Sequence, residues 1–168
     1  MAQYMQDRRG DISFATKEVL RKASSPTGLD DPNLKRIARY IKGTPRCVLD
    51  FPWSPMPEYL DVFADSDWSG ESETRKSTSG GVACLGVELK HWCATQSTVI
   101  LSSAEAENKA AVRGLIEGLY MTNLMRQQGV DLQLRIWSDS SAAIGHCDCL
   151  GNGKRMRHLE NHDLWIQQ

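Results

Sequence analysis

EYLDVFADSDW, residues 58–68, is the stretch that decides the fold. Leu60, Val62 and Ala64 alternate with Tyr59, Asp61, Phe63 and Asp65, which is the period of a strand with one face in a core. The even positions are the apolar face. The odd face brings acid to the strand's end, where Asp65 and Asp67 meet Ser66, Ser69 and Gly70. Surface strands often carry acid, so a solvated edge is the plainer reading. Other carboxylates must converge on this strand for it to be more.

The bulk properties set limits. A chain of 168 residues with 40% hydrophobic content supports one ordinary domain, or a domain plus an appendage. It has no apolar run of membrane-spanning length and no apolar signal segment at its start, so the expectation is a soluble intracellular protein. The five cysteines form no regular framework and fit reduced thiols. HCDC at 146–149 lacks the second ligand pair of a zinc site. The net charge of −1 divides unevenly: residues 1–50 carry ten Lys and Arg against six Asp and Glu, and residues 51–168 carry ten against fifteen. A basic leader on an acidic body suits nucleic-acid contact in the first part and carboxylate chemistry in the second.

DISFATKEVLRKASSPT (11–27) predicts a helix stopped by Ser-Ser-Pro. DDPNLKRIARYIKGTP (30–45) predicts a second, with Leu34, Ile37, Ala38 and Ile41 at helical spacing and Gly43 and Pro45 at its end. FPWSPMP (51–57) is a proline-rich linker, so the body begins near residue 56. There, strands are predicted over 58–65, 80–86, 88–94 and 132–139, with helices over 102–129, 140–147 and 155–168. The order β-β-β-α-β-α-α indicates an α/β fold.

The long helix offers two glutamates with different duties. Ser102 and Glu105 fit a capping box, which gives Glu105 a structural role. Glu107 shares its face with Ala110, Ala111, Gly114, Leu115 and Gly118, and the small residues among them let a helix lie close on a sheet. It is either a water-exposed rim residue or a carboxylate that needs a partner. Asp139 ends a strand before Ser-Ser and is an N-cap on the plain reading. If its strand lies beside that of Asp65, three acids converge and require a cation. Such hard oxygen ligands suit Mg²⁺ or Mn²⁺.

The set ADSDW (64–68), RKSTSGG (75–81), LKHW (89–92), TQSTVILSSAEAE (95–107), WSDSSAAIG (137–145) and RHLE (157–160) resembles the ribonuclease H domain of copia-type LTR retrotransposon Pol polyproteins. The leader, residues 1–55, resembles the end of the reverse transcriptase, its thumb and connection, leaving 56–168 for the ribonuclease H domain. The resemblance implies a ribonuclease H-like fold, a mixed central sheet flanked by helices. It implies a two-metal endoribonuclease cutting the RNA strand of RNA–DNA hybrids during reverse transcription, with two Mg²⁺ ions replaceable by Mn²⁺. By position, Asp65, Glu107, Asp139 and Glu160 are its catalytic acids and metal ligands. Asp67 and His158 are second choices, and Asp61 is left on the surface. Glu160 departs from the usual Asp of the family, and Asn108 stands where the family often has an aromatic residue.

Arg75, Lys76, Ser77, Thr78 and Ser79 suit phosphate and sugar contacts, to which Lys154, Arg155 and Arg157 add charge. A solvated turn is the plainer reading of 75–79. The implied partners are the RNA–DNA hybrid and the polymerase domain of the same polyprotein, in a cytoplasmic retroelement particle with access to the nucleus. The competing expectation is a catalytically weak module that binds nucleic acid or supports a reverse transcriptase.

Overall fold

The computed structural model describes residues 9–28, 30–71, 73–148 and 166. The chain divides into two compact units, Met1–Trp53 and Ser54–Gln168. No helix among the described residues is long and apolar enough to cross a membrane.

The first unit holds α1 (Gly10–Arg21) and α2 (Asp30–Gly43). α1 ends earlier than its periodicity suggests, because Lys22–Ser25 turns back on the helix through backbone bonds to Val19, Leu20 and Lys22. Ile12 and Thr16 of α1 and Ile37 of α2 are buried. Asp11 locks the pair. It accepts from both Arg9 guanidinium nitrogens at 2.9 and 2.8 Å and from the Tyr40 hydroxyl at 2.9 Å. The Arg9 hydrogen bonds are the main reason its carboxyl is lowered to about 2.

The second unit is a four-stranded sheet, β1 (Tyr59–Ser66), β2 (Lys76–Leu85), β3 (Val87–Val99) and β4 (Gln133–Trp137), crossed by the long helix α3 (Ser103–Gln127). A short helix α4 (Ser141–Cys147) follows β4. The strand order is β3-β2-β1-β4. β1–β2 and β2–β3 are antiparallel and β1–β4 is parallel, so the sheet is mixed. The α/β architecture, with helices against a mixed sheet, agrees with a ribonuclease H-like fold. The helix predicted over 155–168 lies outside the described residues, save Ile166.

The alternation in β1 does what the sequence indicates. Leu60, Val62 and Ala64 are buried, and Leu60 and Val62 pack with Ala83, Leu85, Leu132, Leu134 and Ile136. α3 lies on this face. A Cβ on Gly114 would stand 3.1 Å from Ala64 Cβ, and one on Gly118 would stand 2.5 Å from a Leu134 methyl. The glycines therefore set how near the helix comes. Ser102 caps α3, its hydroxyl accepting from Glu105 N at 3.2 Å. Gly129, at φ +80°, lets the chain leave the helix.

β2 and β3 run longer than their apolar cores. β2 starts at Lys76, with Ser77 and Ser79 buried, and β3 continues through Thr95–Val99. Hydroxyl-rich sequence reads as turn, yet here the small hydroxyls fill inward strand positions. Gly81 shows how tight the sheet is: a Cβ there would meet the Phe63 carbonyl oxygen at 2.6 Å and the Trp92 ring, whereas one on Gly80 meets nothing nearer than 3.8 Å. Gly81→Ala should therefore cost roughly 1–3 kcal/mol, the usual range for overpacking, in urea unfolding. Gly80→Ala should leave the midpoint unchanged or raise it slightly.

Candidate active site

The parallel pairing of β1 with β4 places Phe63 opposite Trp137. Asp65 and Asp139 each lie two residues further on, so both arrive at the same end of the sheet. Asp139 is free for this because Ser140 takes the N-cap of α4, its hydroxyl accepting from Ala143 N at 3.2 Å. α3 supplies Glu107. One carboxylate oxygen from each of Asp65, Glu107 and Asp139 lies within 4.8 Å of the other two. Beside them is an open cleft of about 670 Å³ lined by Phe63, Asp65, Gly80, Gly81, Trp137 and Asp139.

Electrostatics mark Glu107 out. Burial, followed by the charges of Asp65 and Asp139, pushes its carboxyl up to about 7, and the Ser66 backbone amide only partly opposes this. Its Oε2 is buried without a hydrogen-bond partner among the described residues. A carboxylate with one orphaned oxygen, clustered with two further carboxylates, fits a hard divalent cation, and the all-oxygen donor set suits Mg²⁺ or Mn²⁺.

The other acids have different duties. Glu105 accepts from Leu101 N at 3.0 Å, one residue before the N-cap, so it caps α3 in a variant of the expected box. Asp67 accepts from Thr78 N and braces the loop between β1 and β2, away from the cluster. Asp61 lies on the outer face, where Arg135 binds it with two bonds of 2.8 and 2.9 Å and Trp137 Nε1 adds a third of 2.7 Å. The Arg135 hydrogen bonds are the main cause of its lowered carboxyl. Phe63 and Trp137 stack beside it, ring centroids 6.0 Å apart.

An uncharacterized mitochondrial protein of Arabidopsis thaliana is 40% identical over 111 residues, 64% of this chain and 45% of that protein. The retrovirus-related Pol polyprotein from transposon RE1 of the same plant is 30% identical over 160 residues, 94% of this chain. The chain is similar to a region of the retrovirus-related Pol polyproteins from the transposons RE1, RE2 and TNT 1-94. It spans about a tenth of their length, 11% for RE1. The Secreted RxLR effector protein 161 of Plasmopara viticola is 32% identical over 115 residues, 68% of this chain and 80% of that protein. No family model matches the chain, and no solved structure does.

Several residues singled out from the Pol-like motifs are placed differently from expectation. Ser77 and Ser79 were expected at a nucleic-acid surface, but both are buried. The Ser77 hydroxyl accepts from Ser69 N at 3.0 Å and the Ser79 hydroxyl from Gln96 at 2.8 Å, so they brace the sheet. Arg75 is exposed, in a left-handed turn at φ +59°. Lys76 and Thr78 are half-buried at the start of β2. Lys154, Arg155, Arg157, His158 and Glu160 lie outside the described residues. Gln96 and Ser66 were not anticipated. Their only signal was a polar residue on the inward phase of a strand.

Glu107 gives a pH signature. Its folded form holds a proton up to about pH 7, whereas an ordinary carboxyl, like that of the unfolded chain, releases it near 4.5. The folded state therefore loses this contribution as pH rises across that window. Glu107→Gln should raise the melting temperature of the metal-free protein at pH 8 more than at pH 5. Added Mn²⁺ should stabilise the wild type at pH 8, less at pH 6, and leave the Gln variant unchanged. Equal effects of the substitution at both pH values would show that Glu107 ionises normally.

Proposed function

We propose that the second unit is a metal-dependent endoribonuclease that hydrolyses the RNA strand of RNA–DNA hybrids, within a retroelement Pol polyprotein. The observation that carries this is the convergence of Asp65, Glu107 and Asp139 beside an open cleft. On this reading these three side chains, with Glu160 as the fourth acid, hold the divalent cations. Cations bound there supply Lewis acidity to a phosphoryl oxygen and lower the pKa of a bound water.

The chain's own residues do the rest. Asp65 and Asp139 are exposed and Glu107 is half-buried, so the cluster faces solvent on one side and the helix on the other. A phosphodiester can thus approach from the cleft while the protein fixes the ligands from behind. No nucleophilic side chain is required, and the products are a 5′-phosphate and a 3′-hydroxyl. Exposed Arg75 and half-buried Lys76 contact the substrate backbone beside the cleft. We place the first unit as the end of a reverse transcriptase of the same polyprotein, in a cytoplasmic retroelement particle.

Cleavage of an end-labelled RNA–DNA hybrid at low salt tests the proposal. Mg²⁺ and Mn²⁺ should support cuts in the RNA strand only, and chelator should abolish them. Asp65→Asn and Glu107→Gln should each reduce cutting to background. Hybrid binding without cutting in any metal would favour a non-catalytic binding module. Cutting that survives both substitutions would place the chemistry elsewhere.

A further inference from the structure

Gln96 has no part in the site as described so far. It lies in β3, at the far edge of the sheet from β4, is uncharged, and is 8% exposed. The two protons of its Nε2 are shared among three acceptors within hydrogen-bond distance: Ser66 Oγ at 3.1 Å, Ser79 Oγ at 2.8 Å and the Ala106 carbonyl at 3.0 Å. The surroundings fix which way the amide points. The Ala106 carbonyl can only accept, and Ser66 Oγ directs its own proton to the Asp67 carbonyl at 2.9 Å. Gln96 Oε1 is buried with no partner among the described residues, a cost that an apolar packing residue would avoid.

The three acceptors belong to β1, β2 and α3. Two of them adjoin a carboxylate in the chain: Ser66 follows Asp65, and Ala106 precedes Glu107. The Ser66 amide also donates to Asp65 Oδ1 at 2.8 Å. We propose that Gln96 is a positioning residue for the metal site, tying β1 at Ser66 to α3 at Ala106 and so fixing the spacing of Asp65 and Glu107. The inference rests on the metal-dependent reading above. Glutamine suits the task because its neutral –NH₂ reaches a helix carbonyl and two hydroxyls at once. Glutamate would offer no donor to the carbonyl and would add a fourth negative charge. Methionine would fill a similar space and leave strand and helix untied.

The test is Mn²⁺ titration of the whole chain, with free Mn²⁺ followed by electron paramagnetic resonance and thermal stability measured in parallel. The proteins are wild type, Glu107→Gln, Gln96→Met, Ser66→Ala, the Gln96→Met/Ser66→Ala double variant and Glu117→Gln. Glu117 is ten residues along the same helix, paired with Lys90 at 2.5 Å and Arg113 at 2.6 Å, so its variant controls for lost stability without touching the site. Gln96→Met should weaken Mn²⁺ binding roughly ten- to a hundredfold, the range for residues that orient metal ligands. Glu117→Gln should keep wild-type affinity even where it melts as low. Ser66→Ala should weaken binding less, and adding it to Gln96→Met should cause no further loss.

Wild-type affinity in Gln96→Met, or an equal loss in Glu117→Gln at the same melting temperature, would overturn the positioning role and leave the metal site standing. If Gln96→Met does not fold, unchanged affinity in Ser66→Ala would overturn it. Failure of the wild type to bind Mn²⁺ would remove the metal reading and this inference together.

Discussion

The seating of α3 on the sheet is the constraint on which the rest of the second unit depends. A Cβ on Gly114 would crowd Ala64 and Val62, and one on Gly118 would push into the Leu134 methyls, so the two glycines let the helix sit at close range. Glu107 is about two turns before Gly114 and three before Gly118, on the same side of the helix. The contact that buries the apolar faces of β1 and β4 therefore also delivers Glu107 to the ends of those strands. Burial holds together what charge would push apart. The unit's hydrophobic energy is the restraint against which three carboxylates are kept within 4.8 Å.

Two inward-facing glutamates on this helix show how surroundings assign a role. Burial pushes the Glu117 carboxyl up, but hydrogen bonding and charge from Lys90, joined by Arg113, more than offset this and leave it lowered. Glu107 meets Asp65 and Asp139 instead, and both of these charges add to the effect of burial. The same residue type on one helix is a structural anchor at one position and a carboxylate crowded by like charge at the other. The difference comes from what each sheet strand presents: Lys90 from β3, and Asp65 from the end of β1.

What could be read in the sequence follows the range of the physics involved. The strand period at 59–66, the cap at Ser102 and the small-residue face of α3 are local patterns and were legible. So was the contrast between Glu105 and Glu107, because a capping box is a short-range signal. The parallel register that brings Asp139 beside Asp65 could only be supposed, since it joins residues far apart in the chain. The ends of β2 and β3 were missed because Ser77, Ser79 and Gln96 are polar, and composition alone does not say that a hydroxyl or an amide faces inward. The bond from Asp61 to Arg135 was invisible for the same reason as the register.

That register also has a consequence in time. Asp65 and Asp139 stand 74 positions apart, and the strand carrying Asp139 pairs directly with the strand carrying Asp65. Neither β1, β2 and β3 nor α3 can assemble the cluster without β4. During synthesis the chain must therefore be extended past β4 before any cation could find more than two of these ligands. Long-range parallel pairing is also among the slower events in folding. The three carboxylates would come together only once β4 had paired with β1. Any response to a cation would then follow that pairing and report it.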